Sequence, residues 1–137
     1  MPPSDRRVQV PANSELELGM VCTDKSEAGV TVWQMLADER FANPAGTVQG
    51  GFLAALCDTA MGSATVTWAR GAERKVFSAN AEIKVSFLAA ARIGTVLTCT
   101  GRVVSGGRRV AFAEAEIIDG DGRPVARASS TYVLTER

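Results

Sequence analysis

The chain of 137 residues is long enough for one domain with a real core and short for two independent ones. Fifteen basic and fifteen acidic residues cancel, and a pI near 6.3 leaves no electrostatic footprint for DNA or RNA. Histidine is absent, which removes the commonest general base and with it any Ser-His-Asp hydrolase; Cys22, Cys57 and Cys99, widely spaced and without a CxxC pair, suit reduced thiols in a cytoplasm better than a disulfide framework or a zinc site.

Residues 1–13 are polar and contain proline, a flexible N-terminal arm; Arg6 and Arg7 precede no apolar run, so the arm does not read as a Sec or twin-arginine signal. The segment 14–18 predicts a short helix capped by Ser14 or Asn13. Strands are expected at 21–23 and 30–36, joined by a polar turn at 24–29, and a loop carrying Asn43-Pro44 and Gly46 fills 37–49. A long helix then runs from about Gly51 to Ala69 and should stop before Gly71. It is apolar nearly all round, which predicts an enclosed helix, yet Asp58 and several Thr and Ser residues interrupt it too often for a membrane span.

Four β segments follow, at 76–88, 95–104, 109–118 and 125–134, joined by short Gly-rich links that imply an antiparallel meander. In the first, alternation places Ala79, Ala81, Ile83, Val85 and Phe87 on one face and Asn80, Glu82, Lys84 and Ser86 on the other. One long helix and five or six strands give an α+β class, with the helix buried against a single curved antiparallel sheet.

The chemistry concentrates in the stretch NPAGTVQGG, Asn43 to Gly51, which runs directly into the helix bearing Asp58. A glycine pair at a helix start leaves backbone N–H groups free to meet a negatively charged oxygen, and a buried acid in an apolar helix is costly unless used or paired. These parts suit acyl transfer to water without a metal: the Gly50 amide stabilises an oxyanion, Asn43 adds a neutral donor, and Asp58 attacks or activates water. Eight residues of helix separate Gly50 from Asp58, roughly 12 Å, whereas reacting atoms must approach to about 3 Å. The simplest complete site therefore spans two chains, each Asp58 facing its partner's glycine turn, and a homodimer is expected.

In these residues the chain resembles the hotdog-fold acyl-CoA thioesterases of the phenylacetic-acid-degradation (PaaI-like) and hydroxybenzoyl-CoA thioesterase type. Asn43, Gly46, Gln49, Gly50, Gly51 and Asp58 follow that family's spacing, and the similarity continues through 80–88, 107–112 and 121–126, over most of 15–135. The resemblance implies one hotdog domain over 14–137, a sheet wrapped around a central helix, and dimers that share a continuous sheet, often paired into tetramers. It implies hydrolysis of an acyl-CoA, with a weak lean to aryl or short acyl groups; coenzyme A is part of the substrate and no separate cofactor or metal is needed.

Carried over by position, Asp58 is nucleophile or general base, Gly50 the oxyanion donor, Asn43 a carbonyl or water contact, and Asn80 a group that orients water. Arg92, Arg108 and Arg109, with Gly107 beside them, are candidate contacts to the coenzyme A phosphates. Gln49 departs from the pattern, standing where the family usually has His, so a side chain that can carry charge is replaced by a neutral one. Read without the resemblance, Asn80 is a solvent-facing strand residue and 106–109 a solvated hairpin turn. The competing function is a hotdog protein that binds acyl-CoA as sensor or carrier without hydrolysing it; a hotdog dehydratase ranks below both because it usually depends on His.

Overall fold

The computed structural model describes residues 10–137; the first nine positions of the expected arm, Arg6 and Arg7 among them, lie outside the described residues. Helix α1 (Asn13–Leu18) forms, but neither Asn13 nor Ser14 caps it. The N-cap is Ala12, whose amide donates to the Glu15 carboxylate at 3.1 Å, the half of a capping box that needs no side chain at the cap.

Six strands follow: β1 (Val21–Asp24), β2 (Val30–Leu36), β3 (Val76–Phe87), β4 (Val96–Gly106), β5 (Val110–Ile118) and β6 (Pro124–Glu136). They form one antiparallel sheet in the order β1-β2-β4-β5-β6-β3. The expected meander therefore holds for β4, β5 and β6 only. β3 leaves for the far edge and pairs with β6, because the 88–95 link spans the roughly 14 Å of three strand spacings instead of folding into a hairpin.

Helix α2 (Gly50–Gly71) packs against β2 to β6, with Leu53, Leu56, Cys57, Ala60, Met61 and Ala64 buried. Small residues on the facing strands, Ala111, Ala113 and Ala115, let the helix sit close to the sheet. At Gly101 on β4 a Cβ would lie 2.5 Å from the Ala60 carbonyl. Hydrogen bonds fix the helix rotation: Thr31 Oγ1 donates to the Ala60 carbonyl at 2.7 Å, and Trp33 Nε1 donates to Ser63 Oγ at 2.9 Å.

Enclosure is one-sided. The sheet covers one face of α2, while Gly51, Asp58 and Arg70 on the other are exposed. The helix also runs past its expected stop. Gly71 lies inside it because a Cβ there would come 2.8 Å from the Ala28 methyl, and Glu73 takes the left-handed conformation (φ 62°) that ends it. The amides of Glu73 and Arg74 then close on the carbonyls of Arg70 and Ala69, a Schellman end built without glycine.

The alternation expected along β3 is broken by a bulge between Asn80 and Glu82. Ahead of it Val76, Ser78 and Asn80 face the helix, opposite Glu136, Leu134 and Tyr132; beyond it Ile83, Val85 and Phe87 take that face, opposite Ser130, Ala128 and Ala126. Asn80 therefore points inward, and Ala79 outward. Among the described residues no helix is long and apolar enough to cross a membrane.

Gly101→Ala tests the closeness of helix and sheet. The added methyl meets backbone, which cannot swing aside, so denaturant unfolding should show a loss of about 1–3 kcal/mol.

Candidate active site

Asp58 sits mid-way along α2, and contrary to the expectation of a buried acid it is accessible to solvent in the single chain. Its carboxylate is nonetheless held. Tyr132 of β6 donates its hydroxyl to Oδ1 at 2.7 Å, and Asn80 of β3 donates Nδ2 to the same oxygen at 2.9 Å. Asn80 Nδ2 also reaches Ser130 Oγ at 3.1 Å, while its Oδ1 accepts the Glu82 amide at 3.1 Å across the bulge. The bulge that reverses the phase of β3 is what aims Asn80 at the helix. Asp58 Oδ2 receives no hydrogen bond from the described residues.

Tyr132 was not foreseen. At 1% exposure and on the inward face of β6 it reads in sequence as a core aromatic, and it lies 74 positions from the acid it contacts. Burial first, and then the hydrogen bond and negative charge of Asp58, push its phenol far above the ordinary tyrosine range. It stays protonated at any physiological pH, and its hydroxyl remains a donor.

Asp58, Asn80 and Tyr132 border a cleft of about 640 Å³ that follows the open face of α2 towards Arg70, with Met20, Trp33, Ser63 and Val66 in its walls. On its other side Asp58 borders a second cleft of about 390 Å³, between Gly51, Ala54 and Ala55 of the helix and residues 80–83 of β3.

Gly50 and Asn43 lie elsewhere, in a cleft of about 450 Å³ bounded by Leu53, Phe87 and residues 88–91. The amides of Gly50 and Gly51 have no backbone acceptor among the described residues, as a helix start requires. A Cβ at Gly50 would come 2.8 Å from the tip of the half-exposed Phe87 ring, which would have to shift to admit it; Gly51 has open space. The loop ahead of the helix is anchored by Phe41, buried and stacked on Phe52 with ring centroids 4.6 Å apart.

Asn43 folds the turn ahead of the helix while one Nδ2 hydrogen remains for the carbonyl contact expected of it. Its Oδ1 accepts the amides of Ala45 and Thr47 at 3.0 and 3.1 Å, and its Nδ2 donates to Thr47 Oγ1 at 3.0 Å. The side chain folds the 43–47 turn that delivers the chain to Gly50. Gln49 is the N-cap of α2 and is exposed; its side chain makes no capping bond.

The structure thus brings Asp58 together with Asn80, brings Asn43 together with Gly50, and leaves the two pairs in separate clefts of one chain. The candidate phosphate contacts also separate. Arg92 is bridged to Thr47 near the N-terminal end of α2. Gly107, Arg108 and Arg109 form the exposed β4–β5 turn, where Arg74, just beyond the C-terminal end, binds the Gly107 and Arg108 carbonyls at 3.3 and 2.6 Å. A 22-residue helix lies between the two ends, roughly 33 Å, so these arginines do not make one phosphate site within a chain. No three His, Cys, Asp or Glu side chains converge as a metal site among the described residues.

Residues 45–126, well over half of the chain, match the thioesterase superfamily. The chain is 24% identical over 123 residues to human acyl-coenzyme A thioesterase 13, covering 89% of this chain and 85% of that protein. Its fold is similar to that of the PaaI protein from the phenylacetic acid degradation operon of Escherichia coli, with a TM-score of 0.82 at 21% identity over 91% of this chain and 86% of that one. It is also similar to a hypothetical thioesterase from Streptococcus pneumoniae solved with coenzyme A, with a TM-score of 0.77 at 24% identity over 86% and 90% of the two chains. The fold is accordingly the hotdog fold, a six-stranded antiparallel sheet around one long helix.

Tyr132 is the sole tyrosine, so phenolate absorbance near 295 nm reports it alone. The native protein should show no rise at the ordinary tyrosine value of about 10. Because the proton is held more tightly in the folded state, stability should fall as the pH climbs above that value. Asp58→Asn removes the neighbouring charge but leaves the burial, and should bring the ionisation down towards the ordinary value without reaching it.

Proposed function

The chain belongs to the thioesterase superfamily and is a thioester hydrolase, and we propose that it cleaves an acyl-CoA to a carboxylic acid and free coenzyme A. The reading extends to this chain what the names of its relatives describe, acyl-coenzyme A hydrolysis in one and bound coenzyme A in another. One observation carries it at the level of residues. Asp58, at the lip of an apolar-walled cleft, has one carboxylate oxygen held by two donors and the other open.

In the proposed reaction the thioester carbonyl oxygen rests on the free amide of Gly50, where the helix start favours the negative charge that develops there. Either Asp58 Oδ2 attacks the carbonyl carbon, the thiolate of coenzyme A leaves, and water then hydrolyses the resulting mixed anhydride to free the acid and Asp58; or Oδ2 takes a proton from a water that attacks the carbon, and the thiolate leaves as the acid forms. Gly50 and Asp58 occupy different clefts of one chain, which supports a site shared between two chains. The outer edge of β3, twelve residues long and unpaired among the described residues, supports a dimer in which that edge meets its counterpart.

In this arrangement Asn43 shapes the turn and can offer its remaining Nδ2 hydrogen to the carbonyl, Asn80 acts by holding Asp58, and Gln49 stands at the helix start with a side chain that makes no capping bond. Arg92, joined to Thr47 in the loop that leads to Gly50, borders a neighbouring cleft with Thr95, Asp119, Asp121 and Arg123; it is the proposed contact for the coenzyme A phosphates, and Arg108 and Arg109 are left out. The cleft beside Asp58, with Met20, Trp33 and Val66 in its walls, receives the acyl group.

Release of free thiol from a panel of acyl-CoA thioesters is the direct assay. Asp58→Asn should lower kcat by about a hundred- to ten-thousandfold, the range for loss of a positioned base. Gly50→Pro removes the amide at a first-turn helix position that tolerates proline; mixing it with Asp58→Asn, each inactive alone, should restore up to about a quarter of the activity, because half of randomly paired dimers carry one intact site. A mixture that stays as inactive as its parts would place the whole site within one chain.

A further inference from the structure

We infer that Tyr132 is the positioning residue of the hydrolysis: its hydroxyl, with Asn80 Nδ2, fixes Asp58 Oδ1 so that Oδ2 is the oxygen that acts on the thioester or on water. The inference rests on the reading of Asp58 as the reacting acid.

A free aspartate on an exposed helix face samples several rotamers, and its two oxygens are equivalent. Here they are not. Both donors converge on Oδ1, from neighbouring strands that the sheet register fixes opposite each other, Asn80 against Tyr132. The phenol oxygen is also 3.0 Å from the main-chain carbonyl of Asp58. Tyr132 therefore reads both the side chain and the backbone of the acid, tying its rotamer to the local position of the helix.

The tyrosine is itself immobile. Its ring is buried in the core, and its inward neighbours Ser130 and Leu134 on β6 are buried as well. Gly62, one turn beyond Asp58, faces the ring, and even a Cβ there would stand 3.6 Å from it in ordinary contact, so the helix packs directly on the tyrosine at this level. The hydroxyl carries one proton, and the shorter contact, with the charged acceptor, is to the carboxylate at 2.7 Å. A phenol that burial and the carboxylate keep protonated is a donor with a single state over the working pH range. Ordering one carboxylate oxygen from the rigid side of the site leaves the other directed towards the clefts where a substrate can enter.

The test is steady-state kinetics of wild type, Asp58→Asn, Tyr132→Phe and the double variant on one acyl-CoA. Tyr132→Phe should lower kcat by about ten- to a hundredfold, the factor equivalent to one hydrogen bond to a charged group. KM should stay within about twofold, since only the reacting group is disturbed, and Tyr132→Phe should cost nothing further in the Asp58→Asn background. A merely structural tyrosine would act on both parameters or add its loss to that of Asp58→Asn. An unchanged kcat in Tyr132→Phe, with Asp58→Asn inactive, overturns the role of Tyr132 alone. A wild-type protein that cleaves no acyl-CoA, or a fully active Asp58→Asn, overturns the reading beneath it.

Should Tyr132→Phe fail to fold, the sole tyrosine can be replaced by a polyfluorinated tyrosine acidic enough that its phenol, though raised by the same burial and carboxylate, ionises within the assay range. Its kcat should then fall as absorbance shows the phenol ionising, because a phenolate cannot donate to a carboxylate. A kcat that ignores that ionisation overturns the proposal.

Discussion

The contact between Gly101 of β4 and the backbone of Ala60 sets the geometry of this molecule. With no side chain on the strand at that point, α2 lies against the sheet, and the Thr31 and Trp33 hydrogen bonds to Ala60 and Ser63 allow it one rotation. Asp58 precedes Ala60 by two residues, about 200° round the helix. The rotation that presses Ala60 onto the sheet therefore carries Asp58 to the open side, at the height where β6 and β3 present Tyr132 and Asn80. The close approach of strand and helix at Gly101 and the exposure of the reactive group are one fact seen from two sides of a helix.

The second constraint is the bulge in β3. Regular pairing would have kept Asn80 in phase with Glu82, Lys84 and Ser86, facing away from the helix. Inserting one residue at Ala81 lets Asn80 and Ile83 both face inward, so the strand supplies a polar group to the acid and an apolar one to the neighbouring cleft. It also leaves Phe87 facing the helix start, where its ring closes on Gly50. One irregularity thus places β3 side chains at both the acid and the glycine turn.

Much of this was legible in sequence. The long helix, the strands and the isolated acid Asp58 follow from periodicity and from an ionisable residue in an apolar run. What was not legible depended on register. Alternation through 79–87 is unbroken in the sequence, so nothing local announces that the phase changes at Asn80; the change exists only in the pairing with β6. Tyr132 occupies an inward strand position among buried neighbours and has the composition of core. Gly71 looked like a helix stop by the usual rule, but its lack of a side chain serves the approach of Ala28, and Glu73 takes the left-handed position. An Asn before Pro can fold a turn or face a ligand, and spacing alone does not separate the two; the turn-folding bonds of Asn43 to Ala45 and Thr47 exist only in the folded loop.

Exposure of Asp58 in the single chain bears on how a shared site could form at all. Burying a bare carboxylate at a subunit interface costs several kcal/mol or more unless partners are already in place. Here two are, and both belong to the same chain as the acid. The hydrogen bonds of Tyr132 and Asn80 are present before any second chain or substrate arrives, so in the proposed dimer the desolvation of Asp58 would be offset in advance and would fall mainly on Oδ2. That oxygen, alone among the polar atoms of the cluster without a protein donor, would be left with the greatest remaining demand for a partner, which is the condition under which a carboxylate oxygen attacks a carbonyl or removes a proton from water.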